Sequence, residues 1–437
     1  MKIRSLCVLF CFLLLTACSD PEPGTPTELG WKGKHVQTMP FGADDNSEVI
    51  KLLPSGDRAV MVASKSRKIT LLEVSPDEVK EVASVKLFAE DASDSELTHI
   101  DFDSEGRFAV VTRTLPIVEE GELVDCRGSL VFVDLADDTF GTVLQEVEVG
   151  AMPDAVDISP DDRYVVSADE VDYNDGKCPL PEVDPSVTVL EIPNADPTAT
   201  TVRAVISMVS DSEGARREPE QIIFASDSDH VAVTLQDTHE LLLFQLSAVL
   251  DADGTLVETS SDQLSVVRLP NRSSGAEPWP DGVHSFVDAS GAEYFVVAGE
   301  YNDTLTVLDL DGTLVVNHEI QPANMPGDLP RNLESWNHAP FRPDSLASFH
   351  YDGHSYIAAS LKHAGAVGVW RVDDPLTIQI ADVVKIGFDD QGTATTESTI
   401  GTEGISASAA GLVLTANEEE SSVSLVAPLL SGGSGSE

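Results

Sequence analysis

The stretch MPDAVDISPDDRYVVSADE at 152–170, followed by SVTVLEI at 186–192, decides the fold. Within it, an acidic residue precedes a short apolar run, a tight turn follows, and two strongly β-branched runs come after the turn. These runs are near-continuously apolar, and they are too short and too closely bounded by turn residues to be helices. Such a pattern is typical of β-strands that are buried on both faces, as in sheets that stack against each other.

The same pattern occurs seven times along the chain, which indicates a repeat fold. The acidic positions of the seven segments are Glu48, Glu96, Asp154, Glu220, Asp281, Asp344 and Glu403. Each is followed by a turn rich in Gly, Asp or Ser, such as PSGD at 54–57 and SAAG at 408–411. These residues supply the positive φ and the local side-chain bonds that hairpin turns require. The sequence therefore predicts an all-β, seven-bladed β-propeller over residues 34–428.

The seventh segment ends after its third strand, and only a Gly/Ser-rich tail follows at 429–437. A lone strand-like piece, KHVQTMP at 34–40, precedes the first segment. We expect this piece to supply the missing fourth strand and close the ring, because closure leaves no open sheet edge to aggregate. The alternative is an N-terminal leader without fixed structure.

Two segments carry a resemblance to known proteins. MPDAVDISPDDRYVVSADE followed by SVTVLEI resembles the YVTN-type β-propeller repeat proteins of bacteria. TEGISASAAGLVLTANEEESSVSLVAP at 402–428 is similar to the closing repeat of bacterial extracellular propellers that are loosely grouped with esterase-like and phytase-like domains. The resemblance covers about residues 45–427 and implies the fold. It leaves the function open, because YVTN-type propellers include binders, enzymes and proteins of unknown role.

The chain begins with MKIRSLCVLFCFLLLTACSD, which has the parts of a secretory signal. Lys2 and Arg4 form a basic start, an apolar run covers 6–15, and small residues precede Cys18. Because LTAC resembles the bacterial lipobox, we interpret residues 1–17 as a cleaved signal peptide and Cys18 as the lipidated residue of a lipoprotein. The alternatives are an ordinary cleaved signal with a chance cysteine, or a short buried helix.

Residues 18–33 are predicted to form a Pro-rich polar tether that holds the domain off the membrane. Ser19, rather than an aspartate, follows Cys18, and in enteric-type sorting this favours the outer membrane. We therefore expect an exported protein that its lipid anchors to a bacterial membrane, with the outer membrane favoured.

The charge of the chain limits its partners. Seventy-five acidic residues against 26 basic ones give a formal net charge of −49. A surface of this sign repels nucleic acid, which we exclude as a partner, and it attracts cations. The same acidity is also typical of proteins that stay soluble in salty surroundings.

The five cysteines fall into two groups. Cys7 and Cys11 leave with the predicted signal and Cys18 carries the lipid, so Cys126 and Cys178 remain. Both lie in long insertions between the second and third strands of adjacent segments, and therefore on one face. We expect them to form a disulfide, because an exported compartment permits one; the alternative is two free thiols.

The resemblance implies that the acidic positions gather near one rim of the central channel, where the ends of the second strands add further charges. Those further residues are Lys65, Arg113, Asp169, Glu170, Asp237, Glu300, Lys362 and Glu418. A ring of carboxylates favours a hard cation such as calcium. Repeated carboxylates also commonly bind backbone N–H groups, so a purely structural role remains open.

Two functions are compatible with these features. The first is a cell-envelope lipoprotein whose monomeric propeller binds a protein, a glycan or a small polar ligand on the channel face. The second is a calcium-dependent hydrolase of the lactonase or phosphoesterase type, with its metal at the channel mouth. Its candidate metal ligands are Glu48, Glu96, Asp154, Glu220 and Glu403, and its candidate bases are His99 and His284. The sequence contains no GxSxG, P-loop or Rossmann fingerprint, so serine-hydrolase and nucleotide chemistry have no support.

Overall fold

The computed structural model describes residues 30–42, 45–88, 95–172, 177–210, 216–251, 253–326, 329, 340–386 and 401–429. The predicted signal peptide, Cys18, residues 19–29 of the predicted tether and residues 430–437 of the tail lie outside these ranges. In the part of the chain that is described, no helix is long and apolar enough to cross a membrane.

The described residues are almost entirely β-structure. In chain order the first fifteen strands are β1 (Gly33–Pro40), β2 (Ser47–Leu52), β3 (Arg58–Ala63), β4 (Lys68–Val74), β5 (Val79–Lys86), β6 (Leu97–Phe102), β7 (Phe108–Glu119), β8 (Glu122–Asp134), β9 (Val143–Val149), β10 (Pro153–Ile158), β11 (Tyr164–Asp169), β12 (Ser186–Glu191), β13 (Thr201–Ser207), β14 (Pro219–Phe224) and β15 (His230–Leu235).

The remaining strands are β16 (Glu240–Gln245), β17 (Val257–Ser260), β18 (Ser265–Arg268), β19 (Pro280–Val287), β20 (Glu293–Gly299), β21 (Thr304–Asp309), β22 (Leu314–Glu319), β23 (Pro343–Tyr351), β24 (His354–Leu361), β25 (Ala366–Arg371), β26 (Gln379–Lys385), β27 (Thr402–Ala407), β28 (Val413–Asn417) and β29 (Ser422–Pro428). One short α-helix, α1 (Leu246–Val249), is present among the described residues. Five three-residue 3₁₀ turns accompany it at Pro193–Ala195, Pro197–Ala199, Ser261–Gln263, Pro322–Asn324 and Lys362–Ala364.

These strands form seven sheets, which are the blades of a propeller. Blades 1 and 2 consist of β2–β5 and β6–β9, and blades 5 and 6 consist of β19–β22 and β23–β26. Blade 4 contains β14, β15, β16 and β18, while blade 3 contains β10–β13 and a fifth strand, β17. Blade 7 combines β27–β29 with β1. The prediction of an all-β, seven-bladed β-propeller is confirmed.

The N-terminal strand closes the ring, as the sequence predicts. β1 pairs antiparallel with β29, with Gly33 opposite Pro428 and Pro40 opposite Ser422. Residues 30–33, which the sequence assigns to the tether, are part of the described structure. The indole of Trp31 is fully buried, and its Nε1–H donates to the carbonyl oxygen of Gly411. The chain is therefore packed against blades 6 and 7 from Gly30 onward, because burial of this aromatic side chain fixes it there.

Blade 3 has an outer strand that the sequence pattern does not indicate. β17 lies in the segment between β16 and β18 of blade 4, yet it pairs in parallel with β13 of blade 3. Its four residues pair with Ala204 to Ser207. The connection thus links two adjacent blades and covers the outer edge of one of them.

The apolar core lies between the blades. Eight clusters of buried side chains occur among the described residues, and seven of them are each built from two adjacent blades. The eighth surrounds Cys126 and Cys178. Between blades 1 and 2, for example, Val60 and Val62 pack with Ile100 and Val111. Both faces of each blade are buried in this way, which explains why the strand sequences are apolar without strict alternation.

The innermost strand of each blade lines a central channel. Neighbouring innermost strands contact each other around the ring, and β27 contacts β2 to complete it. Gly282 of β19 allows a close approach here, because a Cβ at this position would lie 2.2 Å from the carbonyl oxygen of Asp344. We call the face with the seven turns between first and second strands the turn face. The opposite face, where the innermost strands begin, is the mouth face.

Candidate functional site

Six carboxylates from six different blades surround the mouth-face end of the channel. They are Glu48, Asp154, Glu220, Asp281, Asp344 and Glu403, and we call them the acidic ring. Each is the second residue of its innermost strand, so all six occupy the same height. Their charges act on one another across the channel, since the negative charge of Asp344 in blade 6 raises the pKa of Asp154 in blade 3.

Blade 2 does not contribute the acidic residue that the repeat alignment predicts. β6 begins at Leu97, which pairs with Arg113, and the second residue of this strand is Thr98. Thr98 therefore occupies the place of the acidic ring, and its Oγ1–H donates to the carbonyl oxygen of Pro153 at 2.7 Å. Glu96 precedes the strand by one residue, although its charge still reaches Glu48. Strand register, which the spacing of acidic residues does not determine, causes this difference.

Backbone amides of the described residues do not hold the acidic ring. Within the described ranges, no backbone N–H donates to any of its six carboxylates. Glu48 Oε2 accepts from Asn46 Nδ2 at 3.1 Å, and Glu403 forms an ion pair with Lys362. The alternative in which repeated carboxylates satisfy backbone donors therefore does not describe this site.

Three members of the acidic ring accept no hydrogen bond from any described residue. These members are Asp154, Glu220 and Asp281, which stand on the adjacent blades 3, 4 and 5. Each is only partly exposed to the channel and is otherwise surrounded by protein. Because a buried carboxylate normally has a partner, this half of the ring has unused acceptor capacity.

Two groups of three carboxylates come close enough to share one cation. Glu48 and Glu403 meet Glu418, and each offers an oxygen within 4.8 Å of the others. Asp281 and Asp344 meet Glu300 in the same way. Carboxylate oxygens at such separations form the donor set that calcium prefers.

Among the described residues, three basic side chains reach the acidic ring or its acidic neighbours. Lys177 Nζ lies 2.9 Å from Asp172 Oδ2, on the loop that follows the second strand of blade 3. Lys362 binds Glu403 and lies 3.6 Å from Asp344 Oδ2. The third cation, Arg342, forms an ion pair with Glu300. The acidic ring and its acidic neighbours Glu170, Asp172, Glu300 and Glu418 outnumber these three cations.

Burial, together with neighbouring negative charge, raises the pKa values of Glu48, Asp154, Glu220 and Asp281 in the acidic ring. Burial, followed by the charge of Glu418, raises the pKa of Glu48 to about 8. Burial raises the pKa of Asp154 to about 6, although Lys177 opposes this rise. At pH 7 Glu48 therefore retains its proton, because ionisation would place an uncompensated charge in a crowded site.

The pKa values of the ring carboxylates on blades 4 and 5, opposite Glu48, are raised in the same way. Burial raises the pKa of Glu220 well above its ordinary value, and the charge of Glu170 adds to this. Burial and then the charge of Asp344 raise the pKa of Asp281. Burial alone would lower the pKa of Lys362, but the acidic groups around it raise that pKa instead. Each ionised carboxylate at the mouth of the channel thus opposes the ionisation of its neighbours, as interacting acidic groups do.

A cavity of about 230 Å³ lies below the acidic ring, within the channel. Lys51 Nζ lies 2.5 Å from Asp101 Oδ1 and 3.6 Å from Asp157 Oδ1. Asp101 and Asp157 also accept backbone N–H groups of the next blade, from Ile158 at 2.6 Å and from Phe224 at 2.8 Å. Lys51, Asp101 and Asp157 thus link blades 1 to 4 by charged contacts. The two carboxylates compensate the charge of Lys51, which lines the cavity.

Lys51, Asp101 and Asp157 are not among the predicted site residues, although the sequence carries a signal for them. Lys51, Asp101 and Asp157 are charged residues inside otherwise apolar strands, SEVIKL, LTHIDF and PDAVDI. All three are the fifth residue of their strands, one residue before the strand ends. A charged residue in a buried strand needs a partner, and this signal could have identified the group.

The two candidate bases lie in the channel below the acidic ring, at different heights. His99 is the third residue of β6 and His284 is the fifth residue of β19, so the two are not equivalent. Burial and then the charge of Lys51 lower the pKa of His99 to about 3 and that of His284 to about 4. Both imidazoles are therefore neutral at ordinary pH, and they lie next to Lys51 rather than beside the carboxylate groups of the mouth.

A disulfide joins two loops next to the mouth, as the sequence predicts. Cys126 of β8 and Cys178 form an S–S bond of 2.04 Å. β7 and β8 continue past the level of Arg113, which pairs with the start of β6, and this extension carries Cys126. Lys177 is the residue before Cys178, so the bond fixes the segment that delivers this cation to the mouth.

The fold and the site define a seven-bladed β-propeller with an acidic channel mouth. In comparison with known families, residues 48–248 match the model of the choice-of-anchor I domain. This match supports a cell-surface or exported propeller module. Among curated proteins, no relative matches the sequence.

Solved structures share the fold at low sequence identity. A streptogramin B lyase is similar with a TM-score of 0.55 and 12% identity, covering 93% of this chain and 100% of that chain. A catalytically inactive virginiamycin B lyase from Staphylococcus aureus, solved with quinupristin, has a TM-score of 0.55 and 13% identity, covering 91% and 100%. The Cps50 β-propeller domain of Myceliophteria thermophila has a TM-score of 0.55 and 11% identity, covering 91% and 99%. At these identities the likeness is one of fold alone.

Proposed function

We propose that this protein is an exported, lipid-anchored propeller that binds a small polar ligand carrying positive charge at the acidic ring. The observation that carries the proposal is that no described backbone amide satisfies the ring, while its carboxylates outnumber the cations beside them. A cationic ligand would supply the missing compensation and would make use of the free acceptor capacity.

The arrangement of charge favours a ligand with several positive groups. Lys362 and Arg342 sit on the side of blades 6 and 7, whereas Asp154, Glu220 and Asp281 have no hydrogen-bond donor among the described residues. Ammonium groups, which donate three hydrogen bonds each, match such acceptors. A protein or a glycan would be recognised by the same chemistry through the amino groups that it presents.

The anchoring part of the proposal rests on the start of the sequence. The lipobox-like LTAC ends at Cys18, and the choice-of-anchor match supports export. Ser19 favours the outer membrane as the site of attachment. The strongly acidic surface suits a protein that meets cations outside the cytoplasm.

A second candidate ligand is calcium, because two groups of three carboxylates offer oxygens within 4.8 Å. Glu48, Glu403 and Glu418 would hold the ion on one side, or Asp281, Glu300 and Asp344 on the other. A hydrolase would also need a base beside the ion. His99 and His284 stand lower in the channel next to Lys51. We therefore propose calcium as a ligand of the mouth rather than as the centre of a hydrolytic reaction.

Calorimetric titration of the purified protein with spermidine tests the first proposal. We expect saturable binding that weakens at least about tenfold in an Asp281→Asn variant, since one charge-assisted contact contributes about 1.5–3 kcal/mol. Glu81→Gln is the matched control, because Glu81 is exposed on the outer strand β5. Equal affinities of the Asp281→Asn variant and the control would contradict a site at the acidic ring.

Thermal unfolding with calcium and with chelator tests the second candidate. Calcium at one hundred times its Kd should stabilise the protein by about 2.7 kcal/mol, and the chelator should remove this gain. Glu418→Gln should reduce the shift if the first carboxylate group holds the ion. An unchanged melting curve with calcium removes the metal candidate and leaves the spermidine result untouched.

A further inference from the structure

Both ends of the described chain leave the propeller at the turn face. β1 starts at Gly33 and β29 ends at Pro428, and these two residues pair with each other. Trp31, just before β1, binds the carbonyl oxygen of Gly411, which belongs to the turn between β27 and β28. Leu429, just after β29, donates its N–H to the carbonyl oxygen of Lys32. The exit point is therefore fixed on the turn face by several contacts.

The acidic ring lies at the opposite end of the same strands. In blade 7, β27 runs from Thr402, beside Glu403 of the ring, to Ala407, before the turn that contacts Trp31. Six residues of strand span about 20 Å. The acidic ring and the exit point are thus separated by the full thickness of the propeller.

We propose that the acidic ring faces away from the membrane to which the protein is anchored. This inference rests on the proposed lipid anchor at Cys18, and it specifies the orientation that the fold imposes on that anchor. A chain that leaves from the turn face turns this face towards the lipid and the mouth face towards the aqueous phase.

The length of the connecting segment supports this orientation. Eleven residues separate Cys18 from Gly30. A segment of this length reaches about 40 Å at full extension. The opposite orientation would require it to run past the blade edge and also past the β7–β8 hairpin.

The β7–β8 hairpin makes the opposite orientation still harder to reach. Beyond Arg113, which lies level with the start of β6, β7 continues for six residues to Glu119. This extension adds about 20 Å on the mouth face. A mouth that faced the lipid would need a tether longer than about 40 Å, which exceeds the reach of eleven residues at full extension.

The orientation specifies where the ligand comes from. The proposed cationic ligand reaches the acidic ring from the aqueous phase, or from another surface that lies opposite the anchoring membrane. The amine headgroups of the anchoring membrane lie on the side of the turn face. The mouth therefore fits a soluble cation and not a lipid of the anchoring membrane.

Energy transfer in vesicles tests the orientation with the lipidated full chain. One variant, Glu122→Cys, places a donor dye at the exposed end of the hairpin, and the other, Ala289→Cys, places it at an exposed position of the turn face. The acceptor dye is carried by lipid headgroups. We expect at least about threefold more efficient transfer from position 289, since about 40 Å of strand separates the two positions along the channel axis.

Glu122→Ser and Ala289→Ser variants, which have no added cysteine, control for dye that attaches to the native cysteines. Equal transfer from both positions, or stronger transfer from position 122, would overturn the inference. Failure of the chain to float with the vesicles would overturn the anchor and the orientation together. If position 289 still gives the more efficient energy transfer but spermidine does not bind, the binding proposal alone would be overturned.

Discussion

Replacing Glu48 with glutamine tests the electrostatic account of the channel mouth. Asn46 Nδ2 lies 3.1 Å from Glu48 Oε2 and 3.0 Å from Glu418 Oε1, so a single amide group faces two carboxylates. Burial and the charge of Glu418 raise the pKa of Glu48 from 4.5 to about 8. The folded protein therefore keeps a proton at pH 7 that the unfolded chain releases.

This difference sets the sign and the size of the effect. The native state holds more protons than the unfolded state, so the free energy of unfolding falls as pH rises from about 4.5 to about 8. Above about pH 8 the contribution of Glu48 no longer changes with pH. The full shift corresponds to about 5 kcal/mol, and about 3 kcal/mol of it applies at pH 7. Because water in the channel screens part of the charge, we expect Glu48→Gln to stabilise the protein by about 1–3 kcal/mol at pH 7–9. At pH 4 the two proteins should be about equal, since the carboxyl group is then protonated in both states.

Urea unfolding at pH 4, 7 and 9, followed by tryptophan fluorescence, measures this difference. Glu81→Gln removes an exposed charge from an outer strand and should change stability by less than about 0.5 kcal/mol at each pH. A Glu48→Gln effect that is independent of pH, or a loss of stability at pH 9, would refute the reasoning.

Three further substitutions test other parts of the structure. Changing Cys126 and Cys178 together to serine should lower the free energy of unfolding by up to about 4 kcal/mol, because the bond closes a loop with a sequence separation of 52; reductant should lower the melting temperature of the native protein only. Lys51→Met should cost about 3–5 kcal/mol by leaving Asp101 unpaired, and adding Asp101→Asn should restore part of the loss in urea unfolding. Trp31→Ala should cost about 3–5 kcal/mol and should expose the chain before β1 to limited proteolysis, whereas unchanged cleavage would show that the indole does not hold this segment.

The fold was largely predictable because each blade is local in sequence. Turn residues and apolar runs recur within each of the seven segments, and the closing strand at 34–40 follows from the incomplete seventh one. β17 could not be predicted in the same way. Its residues, VETS, carry no strand pattern of their own, and the partner β13 belongs to the preceding blade.

The candidate site was predictable in composition but not in register. An acidic residue marks the start of every segment, and in six segments it is the second residue of the first strand. In blade 2 the strand pairing puts Thr98, not Glu96, at the level of the ring. His99 and His284 share an offset from the acidic position of their segments, Glu96 and Asp281, but they stand at different heights for the same reason. Strand pairing depends on contacts across the blade, which the spacing of one residue type does not encode.

Proton release on ligand binding tests the central claim most directly. If a cationic ligand occupies the acidic ring, it stabilises the ionised carboxylates and lowers their pKa values, so protons must leave. Titration of spermidine at pH 7 in two buffers with different ionisation heats should therefore show net proton release, and affinity should rise from pH 6 to pH 8. Binding without proton exchange and with an affinity independent of pH would contradict the claim that the acidic ring is the site.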